Sequence, residues 1–413
     1  MKHQLVVVLN LGGSQALTVA KRIRECGVYS EVYPYSIEKE ELEALSPQGI
    51  IVTGAGENVH AATEERVPFL KEMGCPTLEV GIGTSLSVEA LAGGMGKKCL
   101  DNFLKITCNC TGDWSITDFV KTTVASLQET IGDRQVITAI TGGVDSAVTA
   151  ALLAKAVGKQ CTGVLIDTGL LRKNELQETV SAIKPLDLNF VKINAETKFM
   201  FKLLGIEDPI KKKNIINQEY AAIFDGEAAR CKAEVHAKST IYTDLLVNHN
   251  LPFTFEPKVT VEPLKNLFKD EVIELAKLLD LPETIINRQP FPLYGLATRC
   301  IGAITMERLD ILREADAVFC QEIQKAKIDK YANQYFAAIT NFKSAAIRGN
   351  RQTYEYTLVL RAALTGDYIS AGWAEIPAET LAAISRRLTT EIGGISRVLY
   401  DITATPPAAI EFE

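Results

Sequence analysis

The chain has few histidines: four (His3, His60, His236 and His249) lie widely spaced among 413 residues, which argues against a histidine-rich metal centre. It lacks long apolar runs. None approaches the roughly 18 residues of a membrane-spanning helix, so no membrane partner is expected. Positive charge is short too: the net charge is −7, and the one dense basic run is Lys211-Lys212-Lys213. No nucleic-acid partner is expected, because neutralising phosphates takes clustered Lys and Arg. The nine cysteines, an odd number, are scattered through apolar segments, and Cys108-Asn109-Cys110 has no second pair at zinc spacing. That pattern disfavours disulfides and structural zinc and predicts reduced thiols in a cytoplasm. Internal repeats and low-complexity tracts are missing as well.

What remains is a globular composition, 47% hydrophobic and 23% charged, long enough for two or three domains. The first hundred residues alternate between strand and helix patterns. Strands are expected at Leu5–Leu9, Ser30–Tyr35, Gly49–Val52 and Pro76–Ile82. Helices are expected at Ser14–Cys26, Glu38–Leu45 and Glu64–Met73, with another starting at Leu86–Ala92. This predicts a small doubly wound sheet. Lys97 to Asp113 reads as a linker. A second α/β series follows, with strands at Gln135–Ile140, Gly163–Asp167 and Asn189–Ile193. Its helices are expected at Asp145–Val157, Lys173–Ile183, Asp208 to about Arg230 (with a break) and Lys269–Leu279. Beyond Gly295 the pattern becomes α+β. Met306–Ala326 is a helix with Leu309, Leu312, Phe319 and Ile323 on one stripe, and Tyr356–Leu360 and Arg397–Ile402 read as strands.

The junction at Thr141-Gly142-Gly143-Val144-Asp145-Ser146 joins a strand to a helix. Its glycines allow backbone angles that aim successive N–H groups inward as an anion nest. The helix start directs its positive end to the same place, which suits a pyrophosphate. The hydroxyls of Thr141 and Ser146 are expected to donate to phosphate oxygens. Asp145 would hold Mg²⁺ or cap the helix. No Gly-Lys-Ser/Thr occurs here, so this is not a Walker A loop.

The six residues resemble S-G-G-V-D-S, the PP-loop of ATP pyrophosphatases, with Thr141 replacing the first serine. Val164–Glu175, Asp208–Ile216, Val261–Val272, Gly394–Ile402 and the terminal "TPPAAIEFE" resemble segments of the GMP synthase family. The resemblance extends from about Asn10 to Glu413. It implies a flavodoxin-like, glutamine amidotransferase-like domain over 1–100 and a PP-loop (adenine nucleotide α-hydrolase-like) parallel-sheet domain over 111–294. An α+β dimerisation domain over 295–413 would complete a homodimer. It further implies that ATP, with Mg²⁺, adenylates a carbonyl oxygen of xanthosine monophosphate and that ammonia then displaces AMP. By position, Thr141, Gly142, Gly143, Val144, Asp145 and Ser146 would clamp pyrophosphate. Ile166 and nearby backbone would receive adenine, or Ile166 is plain sheet core. Lys269 and Asp270 would sit near phosphates and Mg²⁺, or form an ordinary helix start. Asp145 and Lys269 are the candidate catalytic residues, Asp145 and Asp270 the candidate Mg²⁺ ligands, and Arg299 a candidate nucleotide ligand.

Departures from the family narrow the expectation. Its nucleophile motif P-V-L-G-I-C-Y-G reads here Pro76-Thr77-Leu78-Glu79-Val80-Gly81-Ile82-Gly83, with glycine at the cysteine position. The oxyanion loop becomes Thr53-Gly54-Ala55-Gly56, and no histidine lies between His60 and His236. Glutamine hydrolysis therefore has no route. On the acceptor side, Thr405 replaces a lysine expected to meet the nucleotide phosphate, and the lid segment is altered around Val247-Asn248-His249-Asn250-Leu251-Pro252. Arg299, Arg348 and Arg351 would bind a different anion or form ordinary ion pairs. Asp244, His249 and Glu262 are candidate general bases, and Cys231 and Cys300 candidate sulfur carriers. The expected activity is adenylation of an acceptor other than xanthosine monophosphate, followed by nitrogen or sulfur transfer. The acceptor would be a small molecule or a carrier-bound substrate, and a separate protein would donate ammonia or sulfur. Ammonia-dependent GMP synthesis and a nucleotide-binding pseudoenzyme are the alternatives.

Overall fold

A computed structural model of the chain describes residues 3–13, 15–55, 58–246, 254–364 and 371–413. Gly56, His249 and the lid segment 247–252 lie outside the described residues. The chain divides into two units, Met1–Thr123 and Val124–Glu413.

In the first unit the run Leu5–Asn10 (β1) is so apolar because it is covered on both faces, with Val6, Val7, Val8 and Leu9 fully buried. Helix α1 (Gln15–Glu25) packs its Ala16, Val19, Ala20 and Ile23 inward. Strand β2 (Tyr29–Pro34), helix α2 (Lys39–Leu45), strand β3 (Gly49–Thr53), helix α3 (Val59–Arg66), strand β4 (Thr77–Val80) and helix α4 (Gly94–Asn102) follow. The sheet is parallel throughout, in the order β2-β1-β3-β4, the flavodoxin-like arrangement. Three sequence expectations shift here. The helix expected over Glu64–Met73 is α3, which ends at Arg66. Pro68, which has no N–H to donate, opens a separate 3₁₀ turn, Pro68–Lys71. The helix expected over Leu86–Ala92 is only a 3₁₀ turn at Glu89–Ala92. The first part of the expected linker is helical: α4 runs to Asn102 and a π turn covers Phe103–Thr107. Leu100, Phe103 and Leu104, spaced i, i+3, i+4, are buried there.

Helix α5 (Ile116–Ile131) spans the division between the units. In the second unit β5 (Val136–Ile140), helix α6 (Val144–Val157), β6 (Cys161–Asp167), helix α7 (Glu175–Ile183) and β7 (Asn189–Asn194) alternate. Helices α8 (Glu196–Leu203) and α9 (Pro209–Arg230), strands β8 (Val235–Ala237) and β9 (Val259–Val261), and helices α10 (Lys269–Leu278) and α11 (Glu283–Ile286) complete this layer. The expected break in α9 is not there. Asp208 caps it through Lys211 N at 2.8 Å, Pro209 starts it, and Ile216, Tyr220 and Phe224 keep one buried face. The sheet is parallel, in the order β7-β6-β5-β8-β9. The first strand, β5, is central, so the order reverses direction between β5 and β8. Open α/β sheets bind ligands at the carboxyl ends of strands beside such a switch point.

The rest of the unit is helix α12 (Met306–Lys325), strands β10 (Gln334–Arg348), β11 (Arg351–Leu364) and β12 (Gly372–Trp373), helix α13 (Ala378–Glu391) and strand β13 (Ile395–Tyr400). Strands β10 and β11 form an antiparallel hairpin, β12 pairs antiparallel with the end of β11, and β13 joins β11 in parallel, so the sheet is mixed. The expected α12 stripe of Leu309, Leu312, Phe319 and Ile323 is fully buried. One apolar cluster runs from Ile137 and Val164 through Leu296 to Leu358 and Ile395, joining both sheets of this unit in a single core.

Candidate active site

Strand β5 is paired on both sides and ends at Ile140, so the chain must turn at the carboxyl edge of the sheet, beside the switch point. It turns through Gly142 at φ +85°, a conformation only glycine adopts freely. Gly143 sits at φ −77°, ψ 159°, which any residue can adopt, so only one glycine of the pair is demanded by its backbone. Gly143 is the N-cap of α6 and provides no side-chain cap. The leading amides of a helix lack intrahelical partners, and among the described residues no acceptor meets Gly143 N–H. Thr141 is exposed and Ser146 is 1% exposed. Ser146 Oγ donates to Gly143 O at 2.9 Å and accepts from Thr141 N and Thr141 Oγ1, each at 3.2 Å. Ser146 thus ties the loop together, with both Thr141 N–H and the Thr141 hydroxyl donating to it.

Asp145 does not cap the helix. Its two carboxylate oxygens accept from Lys269 Nζ at 2.9 and 2.8 Å. Lys269 is the first residue of α10, whose start is held by Phe268 N donating to Glu271 Oε2 at 2.8 Å. Burial raises the Asp145 carboxyl above its ordinary value, Lys269 opposes that shift, and Asp244 adds to it. The two candidate catalytic residues, 124 positions apart in sequence, are therefore in direct contact. Asp270 follows on the exposed side of α10.

Arg288 was not legible in the sequence as a site residue. It lies just beyond α11, and its Nη1 donates to Gly142 O at 2.6 Å and to Thr179 Oγ1 at 3.0 Å. Its Nη2 donates to Glu178 Oε2 at 2.8 Å, and Glu175 Oε1 is 3.8 Å away. Glu175 is buried, which raises its carboxyl pKa against the backbone N–H of Arg172 and the charge of Arg288. Arg172, beyond the carboxyl end of β6, lies 4.5 Å over the Phe291 ring with Nε 3.3 Å from Asp316 Oδ2. Its Nη2 is buried with no hydrogen-bond partner among the described residues.

Other candidates fall elsewhere. The Ile166 side chain is 3% exposed and packs in the shared core, so only backbone at that position faces the strand's neighbours. Arg299 does not bond to the loop. It is 1% exposed, and its Nε and Nη2 hold Glu411 at 3.0 and 2.7 Å between the rings of Phe336 and Phe291. It anchors the C-terminal tail, as does buried Lys212, which donates to Cys300 O and to the Glu413 carboxylate. Arg348 pairs with Glu355 at 2.6 Å. Asp244 accepts from Ile241 N and Glu262 from Thr240 Oγ1. Burial pushes both the Cys231 and Cys300 thiols up, the opposite of what a sulfur-carrying thiolate needs. Thr405 Oγ1 accepts from Arg361 Nη2 at 3.0 Å, and Arg361 also pairs with Asp401.

In the first unit, Gly81 stands at φ +141°. A Cβ there would lie 2.7 Å from Val59 Cγ2 and 3.4 Å from Gly54 O. Its N–H donates to Leu86 O at 2.8 Å. The nearest histidine in sequence, His60, is exposed and paired with Glu79 at 2.7 Å.

Among known proteins, the family model described as GMP synthase C terminal domain matches residues 321–412, and the one described as NAD synthase matches residues 114–225. GMP synthase [glutamine-hydrolyzing] of Finegoldia magna is 36% identical over 513 aligned positions covering all of both chains. Its namesake in Clostridium botulinum (strain Eklund 17B / Type B) is 34% identical over 516, again covering all of both. NMN synthetase from Francisella tularensis overlays on 44% of this chain and 78% of its own, with a TM-score of 0.38 and 19% identity. Matched along its whole length at that level of identity, this chain belongs to the GMP synthase family, ligases of the PP-loop ATP pyrophosphatase type.

Proposed function

We propose that the protein uses ATP to adenylate an acceptor carbonyl oxygen, releasing pyrophosphate, and then replaces AMP with a nitrogen or sulfur nucleophile. The observation that carries this reading is the Thr141–Ser146 turn: a Gly142 bend at the switch point, an uncapped helix start and the Asp145–Lys269 pair at one edge. In it, Gly143 N–H binds the leaving pyrophosphate, where a preorganised donor lowers the barrier most, and the Thr141 hydroxyl joins it by turning away from Ser146. Lys269 offsets negative charge as it builds. Mg²⁺ would be held by Asp145 and Asp270 together with substrate oxygens and would supply charge neutralisation. The donor chemistry suits that ion: Mg²⁺ usually takes one or two carboxylates plus phosphate oxygens, and the Asp145 carboxylate stands at the loop.

Two observations favour an acceptor other than xanthosine monophosphate, and two more the lack of glutaminase. Thr405 supplies no cation at a position where the family has lysine, and losing one charge-assisted bond costs about 1.5–3 kcal/mol. Arg172 Nη2, buried without a hydrogen-bond partner among the described residues, would suit an acceptor bearing carbonyl or acidic oxygens. Gly81 has no nucleophile and no room for one beside Val59. An alignment of 513 positions against 413 residues leaves at least 100 positions of the Finegoldia relative without a counterpart here. Nitrogen or sulfur would then arrive from a separate donor protein. The three-domain division at 100, 111 and 295 and a cytoplasmic homodimer belong to the same reading; Phe342, Ile347 and Tyr354, exposed on the β10–β11 hairpin, offer a partner surface.

A second reading, ammonia-dependent GMP synthesis, is favoured by the end-to-end match to GMP synthases. One assay separates them: Mg·ATP with xanthosine monophosphate and ammonium, against Mg·ATP with other carboxamide and carboxylate acceptors and either ammonium or sulfide. AMP formation stimulated only by the other acceptors supports the first reading. GMP formation establishes the second. No AMP under any condition rejects both.

A further inference from the structure

We infer that Arg288 is a positioning residue that fixes the orientation of the Gly142–Gly143 peptide and so aims the Gly143 N–H at the pyrophosphate; this rests on the adenylation reading above. A trans peptide points its carbonyl and the following N–H to opposite sides, and this bond is not among the chain's cis peptides. The Gly142 carbonyl is held at 2.6 Å by Arg288 Nη1. Gly143 N–H is thereby turned to the other side, and no acceptor meets it among the described residues.

The need for a clamp follows from Gly142 itself. Glycine at φ +85° has no side chain to fix its peptide planes, so the 142–143 plane can rotate at little steric cost. A rotated plane would present a carbonyl oxygen to an anion. Arg288 prevents this from a rigid base. Its side chain is 9% exposed, and its guanidinium is itself held by Thr179 Oγ1 at 3.0 Å and Glu178 Oε2 at 2.8 Å, both on α7. A Cβ built on Gly142 would lie 3.0 Å from Arg288 Nη1, 3.1 Å from Thr179 Oγ1 and 3.3 Å from Glu175 Oε1, so the clamp closes directly over the turn. With Nη1 engaged by Gly142 O and Thr179 and Nη2 by Glu178, Arg288 acts through the loop amide and not by touching phosphate. Lysine, a single point donor, would replace the planar fork incompletely.

The test is equilibrium binding of Mg·ATP, inorganic pyrophosphate and AMP to the full chain and to its Arg288→Gln and Arg288→Lys variants, with Tm recorded for each. Arg288→Gln should weaken Mg·ATP and pyrophosphate about tenfold or more, the scale of one charged hydrogen bond, while AMP binding stays within about twofold. Arg288→Lys should show the same split at about two- to fivefold. Should Arg288→Gln fail to fold, the lysine variant decides alone. Equal weakening of ATP and AMP would mean a general structural role and overturn the inference, as would unchanged pyrophosphate binding in either variant. A wild-type chain that binds neither nucleotide overturns the adenylation reading, and this inference with it. Wild-type binding without the split overturns this inference alone.

Discussion

Gly142 and Gly143 are neighbours with the same side chain and different obligations. At φ +85°, and with Arg288, Thr179 and Glu175 atoms 3.0–3.3 Å from any added Cβ, Gly142 cannot become alanine without strain. Gly142→Ala should cost about 1–3 kcal/mol of stability and abolish measurable Mg·ATP binding. Gly143→Ala meets only Thr141 Oγ1, at 3.8 Å, and should leave stability within about 0.5 kcal/mol by thermal denaturation. Asp145 and Lys269 give a pH-dependent counterpart. Burial raises the Asp145 carboxyl above 3.8, so the folded state keeps a proton that the unfolded chain releases, and stability falls as pH rises above that value. Lys269 opposes this. Lys269→Met should therefore lower Tm more at pH 8 than at pH 5, and a uniform loss would contradict that account. The loop's place at a strand-to-helix turn was readable from its residues, because Gly142 and Gly143 stand between an apolar run and a helical pattern. Arg288 was not. It reaches Gly142 across 146 residues of sequence, and nothing in Asn287-Arg288-Gln289 announces a long-range contact.

The alternating elements were readable for a related reason. Strands such as β1 and β5, covered on both faces, are short apolar runs bounded by turns, and α12 shows its buried stripe at helical spacing. What escaped were elements whose signal is weak or interrupted. Helix α13 buries only Ile384 and Leu388 fully, and α4 is cut from the preceding turn by Gly93 and looks like linker. Strand β8 was missed altogether. Its His236 is packed near the rings of Phe224 and Phe255, 5.2 and 6.2 Å away, and burial lowers its pKa from 6.5 to about 4. The unfolded chain takes up a proton below 6.5 that the folded strand refuses until about 4. Stability present above that window is thus lost as pH falls through it, on the order of 3 kcal/mol. Denaturant titrations at pH 7.5 and 4.5 should show this loss in the wild type and a smaller one in His236→Phe. The turn after β4 makes a separate prediction: Gly81→Cys should not create glutamine hydrolysis and should lower Tm, because the added Cβ meets Val59 at 2.7 Å.

At the scale of the molecule, the C-terminal tail ties together what the sequence presents as separate segments. Glu411 is gripped by Arg299 and Glu413 by Lys212 and Gly302 N, so the last residues are anchored to the start of α9 and the turn before α12. Residues of both sheets in the second unit share one core, a fact invisible to any local pattern. The homodimer reading predicts sedimentation at twice the 45.1 kDa chain mass; a single 45.1 kDa species would contradict it. The central claim, that the switch-point loop splits ATP between its α and β phosphates, is tested most directly by the products. With Mg·ATP, an accepted acceptor and a nitrogen or sulfur donor, quantitative chromatography should find AMP and pyrophosphate in equal amounts and no ADP above background. ADP with inorganic phosphate, formed in step with acceptor consumption, would contradict it.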